Sequence, residues 1–194
     1  MKIRKEFRVE SAHIVRNCTS HRCSHSVHGH SAVIEVFLEA STLDNAQMVY
    51  DFGLMKGTVK EFVDSMDHCY LLCNKDSLEF RNFIKSNCDR WIELPFNPSA
   101  EMLSMFVFHY IQTILKNTIT NNNEGDVRLA AVRYHETATG YAECNKEDVD
   151  KLYPADEQVV FSEGVIRDWS HDLTKVIFNG ETVVNPEVKK QINL

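Results

Sequence analysis

Residues 28–40 read HGHSAVIEVFLEA, and this stretch alternates between two kinds of side chain. Its even-numbered positions are His28, His30, Ala32, Ile34, Val36 and Leu38. Alternation with a period of two predicts a half-buried β-strand. Residues 3–13 alternate in the same way, with Phe7, Val9 and His13 on one face. We expect these two strands to pair antiparallel, with the polar segment between them as the connecting loop.

Two later segments have the periodicity of amphipathic helices. Apolar residues recur at helical spacing between Leu54 and Met66, and again, in a longer stripe, between Leu103 and Leu115. Asn97 suits the N-cap of the second helix, and Pro98 suits its first helical position. The sequence therefore predicts two helices after the first two strands.

Two more strands are predicted after the helices, one over residues 127–137 and one that begins at Tyr141. The order strand, strand, helix, helix, strand, strand predicts an α+β domain over residues 1–144. In this domain a four-stranded antiparallel sheet has two helices on one face. Residues 145–194 form a C-terminal extension, in which the dipeptide Asn179-Gly180 predicts a β-hairpin with a type I′ turn.

The composition is that of an ordinary globular chain, with 43% hydrophobic residues, 25% charged residues and a net charge of −7. Nucleic acid is an improbable partner, because phosphate neutralisation requires clustered Lys and Arg. No apolar run has the length of a signal peptide or a membrane span. We therefore expect a cytoplasmic protein with no membrane partner, and free thiols at its six cysteines.

Three histidines of the first two strands are candidates for a metal site. His28 and His30 project from the same face, with Cα atoms roughly 7 Å apart, and His13 ends the neighbouring strand. Three histidines that leave one position open are typical of catalytic zinc, whereas structural sites use four ligands, usually cysteines. Neutral imidazole also suits nickel, copper or ferrous iron, so zinc is the leading interpretation. A structural cysteine site is disfavoured, because the spacings of the cysteine pairs do not match.

Five further side chains are candidates for proton transfer or ligand binding. Cys23 is the candidate base or nucleophile, since a nearby metal and several imidazoles favour a thiolate, and Cys18 competes for this role. Asp67 can orient and polarise His68 for proton transfer. Glu136 could accept two parallel hydrogen bonds from a guanidine-like ring edge, such as that of a pterin. Taken singly, Asp67, His68 and Glu136 are more typical of solvated positions.

Six short motifs, in order, resemble the 6-pyruvoyltetrahydropterin synthase and 6-carboxytetrahydropterin synthase family over roughly residues 1–142. The motifs are Phe7-x-x-x-x-Ala12-His13, Cys23…His28-Gly29-His30, Met48–Lys56, Met66-Asp67-His68, Asn97–Glu101 and His135-Glu136-Thr137. The resemblance implies the tunnelling fold (T-fold), which has the strand and helix order predicted above. It also implies a homo-oligomer, commonly a hexamer of two stacked trimeric rings with sites at the subunit interfaces.

The resemblance also implies roles for particular residues. The implied groups are the Zn²⁺ ligands His13, His28 and His30, the proton-transfer residues Cys23, Asp67 and His68, and the pterin-binding residues Glu136, Thr137 and Ser99. Arg16 and Arg22 flank the cysteine loop and are candidates for the triphosphate. Ala100 stands where many family members have a hydroxyl residue.

The implied substrate is 7,8-dihydroneopterin triphosphate. The favoured reaction is that of a zinc-dependent lyase forming 6-carboxy-5,6,7,8-tetrahydropterin, acetaldehyde and triphosphate, on the route to 7-deazaguanine and queuosine. The alternative is a pyruvoyl synthase, which eliminates triphosphate but keeps all side-chain carbons. Four residues separate Cys23 from His28, a spacing between those of the two branches. A non-catalytic pterin- or zinc-binding homologue and a zinc hydrolase are the further alternatives.

Overall fold

The computed structural model describes residues 1–189 and residue 192, and its main feature is a mixed sheet of seven strands. In chain order the strands are β1 (Lys2–His13), β2 (His28–Glu39), β3 (Cys69–Cys73), β4 (Trp91–Leu94), β5 (Thr118–Ile119), β6 (Arg128–Thr137), β7 (Gly140–Cys144), β8 (Val160–Phe161) and β9 (Val183–Val184). The sheet has the order β7-β6-β2-β1-β3-β4-β8. Strands β5 and β9 form a separate two-stranded sheet.

The four predicted strands, β1, β2, β6 and β7, form one antiparallel half of the large sheet. β1 pairs with β2, β2 with β6, and β6 with β7, all antiparallel. The register of the first pair sets His13 opposite His28. The observed strand bounds agree with the predicted bounds to within one residue. For β7 only the first residue was predicted.

Three strands that the sequence did not predict extend the sheet beyond β1. β3 is parallel to β1, β4 is parallel to β3, and β8 is antiparallel to β4. The segment CYLLC of β3 is buried at every position. A short apolar run that is buried on both faces has no alternation by which it could be recognised. The sheet is therefore larger than the predicted four strands, although the α+β class is confirmed.

The helices cover both faces of the sheet. They are α1 (His21–His25), α2 (Thr58–Asp64), α3 (Leu78–Asn87), α4 (Ala100–Lys116), α5 (Lys146–Leu152), α6 (Glu163–Ile166) and α7 (His171–Thr174). The two predicted helices, α2 and α4, pack into the main hydrophobic cluster on one face. The helix α3 packs with Tyr70 and Leu72 in a smaller cluster. No helix in the described part of the chain is long and apolar enough to span a membrane.

Both predicted helices begin later than expected. A 3₁₀ turn over Leu54–Lys56 precedes α2, and Gly57 separates the two. The N-cap of α4 is Ser99, whose Oγ accepts a hydrogen bond from the amide of Met102, and not Asn97. The amide side chain of Asn97 is used elsewhere, as described below, and is therefore not free to cap the helix.

The predicted hairpin in the extension is wrong. Residues Lys175–Asn179 form a turn of π-helix, and Gly180 ends it with a left-handed φ of 64°. Val183–Val184 pairs in parallel with β5 and not with the preceding residues. Asn-Gly suits a helix C-terminus as well as a hairpin, because glycine adopts the left-handed conformation freely in both. Local sequence does not distinguish these two uses.

The extension shares the main hydrophobic core with the strands and helices before it. Its contribution to that cluster comprises Val149, Tyr153, Phe161, Val165, Trp169, Leu173, Val176 and Val183. The β8 strand also lengthens the sheet at its β4 edge. The extension thus caps one end of the sheet.

The six cysteines of the chain are free thiols, as predicted.

The aromatic centre of the core gives a test of the fold. Phe106 of α4 is fully buried and contacts other aromatic rings, whereas Phe83 of α3 is 60% exposed. We expect Phe106→Ala to lower the free energy of unfolding by about 3–5 kcal/mol. The matched change Phe83→Ala should alter it by less than about 0.5 kcal/mol. Urea denaturation of the full chain measures both, and equal losses would contradict this packing.

Candidate metal centre and active site

The paired strands β1 and β2 bring the three predicted histidines together. Because His13 lies opposite His28 and His30 follows two residues later, all three side chains project from one face of the sheet. Their ring centroids are 4.6, 5.1 and 5.2 Å apart. One potential ligand atom from each residue lies within 4.8 Å of the others. We refer to His13, His28 and His30 as the histidine triad.

Backbone carbonyls orient two rings of the triad. The Nδ1 atom of His13 lies 2.8 Å from the carbonyl oxygen of Pro98, and Nδ1 of His28 lies 3.0 Å from that of Ser26. A carbonyl can only accept, so each Nδ1 carries a proton, and in the neutral form of either ring Nε2 presents a lone pair. Such a partner on the other ring nitrogen is typical of histidines that bind metals.

The triad is suited to a metal ion by the state of its nitrogens. The Nε2 atoms of His13 and His30 are buried and have no hydrogen-bond partner. Burial, together with the neighbouring charges of His28 and His30, lowers the pKa of His13 to about 4. The His13 imidazole is therefore neutral near pH 7, and a metal ion would satisfy buried nitrogens that otherwise lack a partner.

Glu136 adjoins the triad, a contact that the sequence did not predict. Its Oε1 atom lies 3.5 Å from Nε2 of His13 and 3.9 Å from Nε2 of His30, and it is buried without a hydrogen-bond donor. Ligands of a tetrahedral zinc ion lie roughly 3.4 Å from one another. The pairing of β6 with β7 shifts register between His135 and Thr137, which is where Glu136 lies. The carboxylate therefore lies beside the open position of a three-histidine site.

The segment that begins with Asn97 supports the triad from the start of α4. The Asn97 side chain accepts from the amide of Arg16 at 2.8 Å and donates to the Arg16 carbonyl at 2.7 Å. The carbonyl of Pro98 orients His13, and Ser99 caps α4. The three successive residues thus join the chain after β1, the triad and the long helix. The sequence motif was recognised, but these contacts depend on residues about 80 positions apart.

The two candidate thiols lie in the loop between β1 and β2. Cys23 is half-buried in α1, and its carbonyl accepts a hydrogen bond from the amide of Val15 at 2.9 Å. This bond holds the short helix near the end of β1. The Sγ atom of Cys18 donates to the carbonyl of Ser20 at 3.3 Å. The group of metal-binding atoms in the described residues includes neither thiol.

Asp67 and His68 form a hydrogen-bonded pair in the turn before β3. Their side chains are 2.9 Å apart, and Asp67 also accepts from the amide of Glu10 at 2.7 Å. Burial raises the pKa of Asp67, but the hydrogen bonds from Glu10 and His68 and the nearby charge of Arg90 outweigh it and hold the pKa below its usual value. His68 is 78% exposed and adopts a left-handed φ of 50°.

In the described part of the chain, the Asp67–His68 pair is not hydrogen-bonded to the triad, although one cleft adjoins both. Asp67 accepts from the backbone amide of Glu10, and the amide of His68 donates to the Glu10 carbonyl. An open cleft of about 640 Å³ is lined by His68 and by His30 of the triad. No hydrogen bond or ion pair among the described residues connects Asp67 or His68 with a triad histidine.

The remaining predicted residues lie in different environments. Thr137 is exposed at the end of β6, opposite Gly140 of the next strand. Arg16 is paired with Asp76 at 2.6 Å and also donates to the carbonyl of Ser24, so its charge is already compensated. Arg22 is exposed in α1.

Comparison with known proteins identifies relatives over most of the chain. The family model described as 6-pyruvoyl tetrahydropterin synthase matches residues 2–147. A protein of Helicobacter pylori strain J99 named 6-carboxy-5,6,7,8-tetrahydropterin synthase is 40% identical over 89% of this chain and 88% of its own length. A protein of the same name from Aquifex aeolicus is 29% identical over 75% of this chain and 98% of its own length.

Solved structures show the same fold. An uncharacterized protein from Wolinella succinogenes superposes with a TM-score of 0.62 and 19% identity, over 75% of this chain and 98% of that one. The 6-pyruvoyl tetrahydropterin synthase of Caenorhabditis elegans superposes with a TM-score of 0.51 and 19% identity, over 75% and 94% of the two chains. The predicted tunnelling fold is therefore confirmed, and the chain belongs to the 6-pyruvoyl tetrahydropterin synthase family.

Proposed function

We propose that this chain is a zinc-dependent lyase, a 6-carboxy-5,6,7,8-tetrahydropterin synthase. Its substrate would be 7,8-dihydroneopterin triphosphate, and its products 6-carboxy-5,6,7,8-tetrahydropterin, acetaldehyde and triphosphate, in the biosynthesis of 7-deazaguanine and queuosine. The convergence of three imidazoles inside a pterin synthase family domain carries the proposal. The name of the Helicobacter pylori relatives favours this product over a pyruvoyl product.

The histidine triad is proposed to hold the metal. His13 and His28 are oriented by carbonyls, and the unpartnered Nε2 atoms of His13 and His30 face the same space. Three imidazoles with one open position are typical of catalytic zinc, whereas structural zinc sites fill all four positions with protein ligands. A bound zinc ion would act as a Lewis acid on the side-chain hydroxyls of the substrate and make the neighbouring protons more acidic.

Proton transfer is assigned to Cys23 and to the Asp67–His68 pair. Cys23 is proposed to take a proton from the substrate side chain, a role that requires a half-exposed thiol. Asp67 is held ionised by its hydrogen bonds, so it can fix the ring of His68 and stabilise the charged imidazolium. The buried thiols are poorer candidates: burial raises the pKa of Cys144 to about 11 and that of Cys69 to about 12.

Substrate binding is assigned to Glu136, Thr137 and Ser99. The Oε1 atom of Glu136 is buried and lacks a donor, so it can accept a hydrogen bond from a ring N–H of a pterin. Thr137 follows it directly, and the hydroxyl of Ser99 keeps its proton available while it accepts from α4. These three groups would orient the pterin ring, and the reacting side chain of the substrate would then lie next to the histidine triad.

A homo-oligomer, namely a hexamer of two trimeric rings, is part of the proposal. Strand β7 forms one edge of the large sheet, and an open edge is suited to pair with a strand of another copy. Among the described residues, the Asp67–His68 pair makes no hydrogen bond or ion pair with the triad, which is compatible with a site that another copy completes. We propose a cytoplasmic location for this assembly, and neither nucleic acid nor a membrane as a partner.

The proposed reaction is tested by incubating the purified protein with 7,8-dihydroneopterin triphosphate and identifying the products by mass spectrometry. We expect equal amounts of 6-carboxy-5,6,7,8-tetrahydropterin and acetaldehyde, because the proposed reaction cleaves the side chain. A pyruvoylpterin without acetaldehyde would replace the proposal with the pyruvoyl synthase. An unchanged substrate, with zinc bound, would favour the non-catalytic homologue.

The two loop thiols make a matched comparison. We expect Cys23→Ala to lower kcat by at least about 100-fold, the contribution of a positioned base, while zinc content stays unchanged. Cys18→Ala should keep kcat within about twofold, because its thiol bonds only to a neighbouring carbonyl. Steady-state kinetics of both variants decide the assignment. The reverse pattern would transfer the role to Cys18.

Zinc binding itself can be measured without substrate. We expect His30→Ala to weaken zinc affinity by more than about 100-fold, because even the loss of an outer partner of a ligand costs 10–100-fold. The matched change His171→Ala, at an exposed residue of α7, should leave affinity unchanged. Competition with a chromophoric chelator measures both affinities. Equal affinities would remove His30 from the ligand set.

A further inference from the structure

The Asp67–His68 turn is a strained element that its surroundings must hold in place. His68 adopts a φ of 50°, a left-handed conformation that residues other than glycine rarely adopt. It is tied to β1 on one side, where its amide donates to the carbonyl of Glu10 at 2.7 Å. A strained backbone persists only where several contacts determine it. The other contacts of this turn therefore matter to the position of the imidazole.

Arg90 is the main contact on the other side of the turn. Its guanidinium donates to the carbonyls of Asp64, Ser65 and Asp67, at 2.9, 3.3 and 3.0 Å. These carbonyls belong to the end of α2 and to the turn itself, and the Arg90 side chain is only 18% exposed. A planar guanidinium with five donors can bind several carbonyls at once, which an ammonium group does less well.

The C-terminal extension also contacts Arg90 and the residue Ser65 just before the Asp67–His68 turn. The guanidinium of Arg90 also donates to the carbonyl of Gly164 at 3.1 Å and to the carboxylate of Asp168. Next to them, the indole Nε1 of Trp169 donates to Oγ of Ser65 at 2.7 Å in a buried contact. All three residues of the extension lie beyond residue 147, where the match to the family model ends.

We propose that the extension is a brace for the Asp67–His68 turn, with Asp168 and Trp169 as positioning residues that act through Arg90 and Ser65. This inference rests on the proposed role of His68 in proton transfer. The brace stabilises the left-handed turn and keeps the imidazole in one orientation. Among the described residues, the side chains of Asp168 and Trp169 bond to Arg90 and Ser65 and not to the histidine triad, so their loss should affect proton transfer and leave metal binding unchanged.

The test uses the full chain with zinc bound and compares Trp169→Phe and Asp168→Ala with the parent. Trp169→Phe removes the indole N–H but keeps an aromatic ring, and Asp168→Glu is the conservative control that keeps a carboxylate for Arg90. A second control, Lys151→Ala, breaks an exposed ion pair with Glu147 elsewhere in the extension. Hydrogen exchange of peptides over residues 64–68, steady-state kinetics and zinc content are measured for each variant.

We expect faster hydrogen exchange at residues 64–68, and a kcat about tenfold lower, with KM within about twofold, for Trp169→Phe and Asp168→Ala. Asp168→Glu should restore most of the loss, and Lys151→Ala should match the parent. Ser65→Ala should reproduce Trp169→Phe, and the two changes together should be no worse than either one, since they break the same bond.

Some outcomes would contradict the proposal that the extension stabilises the Asp67–His68 turn. Unchanged exchange at residues 64–68 would show that the extension does not hold the turn, and faster exchange with unchanged kcat would remove its role in the reaction. A fall in zinc content or a general loss of stability with unchanged kcat per zinc would indicate a purely structural extension. If the parent shows no turnover, the proposed function fails, and exchange alone then decides whether the extension holds the turn.

Discussion

The pairing of β1 with β2 is the constraint on which the rest of the site depends. Its register sets His13 opposite His28 and places His30 on the same face. A shift of one residue would move one strand's side chains to the opposite face, because side chains alternate along a strand. Buried Val9 and Ile34 prevent such a shift, since the same shift would expose them. The hydrophobic core thus determines the geometry of the three candidate metal-binding histidines.

The paired strands alone do not complete the site. The ring of His13 is oriented by a carbonyl at the start of α4, and Asn97 holds the chain that leaves β1. Glu136 comes from a third strand, β6, and the Asp67–His68 turn lies before a fourth, β3. The start of α4 and the strand β6 each add one group to the region that the two strands define. Changes in packing far along the chain can therefore alter the site without touching a ligand.

Sequence reasoning was most successful where side chains alternate regularly. It predicted the bounds of β1 and β2 and the grouping of His13 with His28 and His30, because these follow from a period of two. It missed β3, whose five buried residues show no alternation, and it assigned to Asn97 a helix cap that Ser99 provides. It also interpreted Asn179-Gly180 as a hairpin turn, although Gly180 ends a helical turn. These errors share one cause, namely that each depends on partners distant in sequence.

Local periodicity was sufficient to predict the α+β class, the antiparallel strands and the three histidines on one face, since it dictates the direction of each side chain. Tertiary structure alone decided that Glu136 adjoins His13 and His30, that Pro98 orients His13, and that the extension contacts the Asp67–His68 turn through Arg90. Such contacts join residues far apart in the chain. They arise only when packed elements bring those residues together, and no local pattern encodes the distance between them.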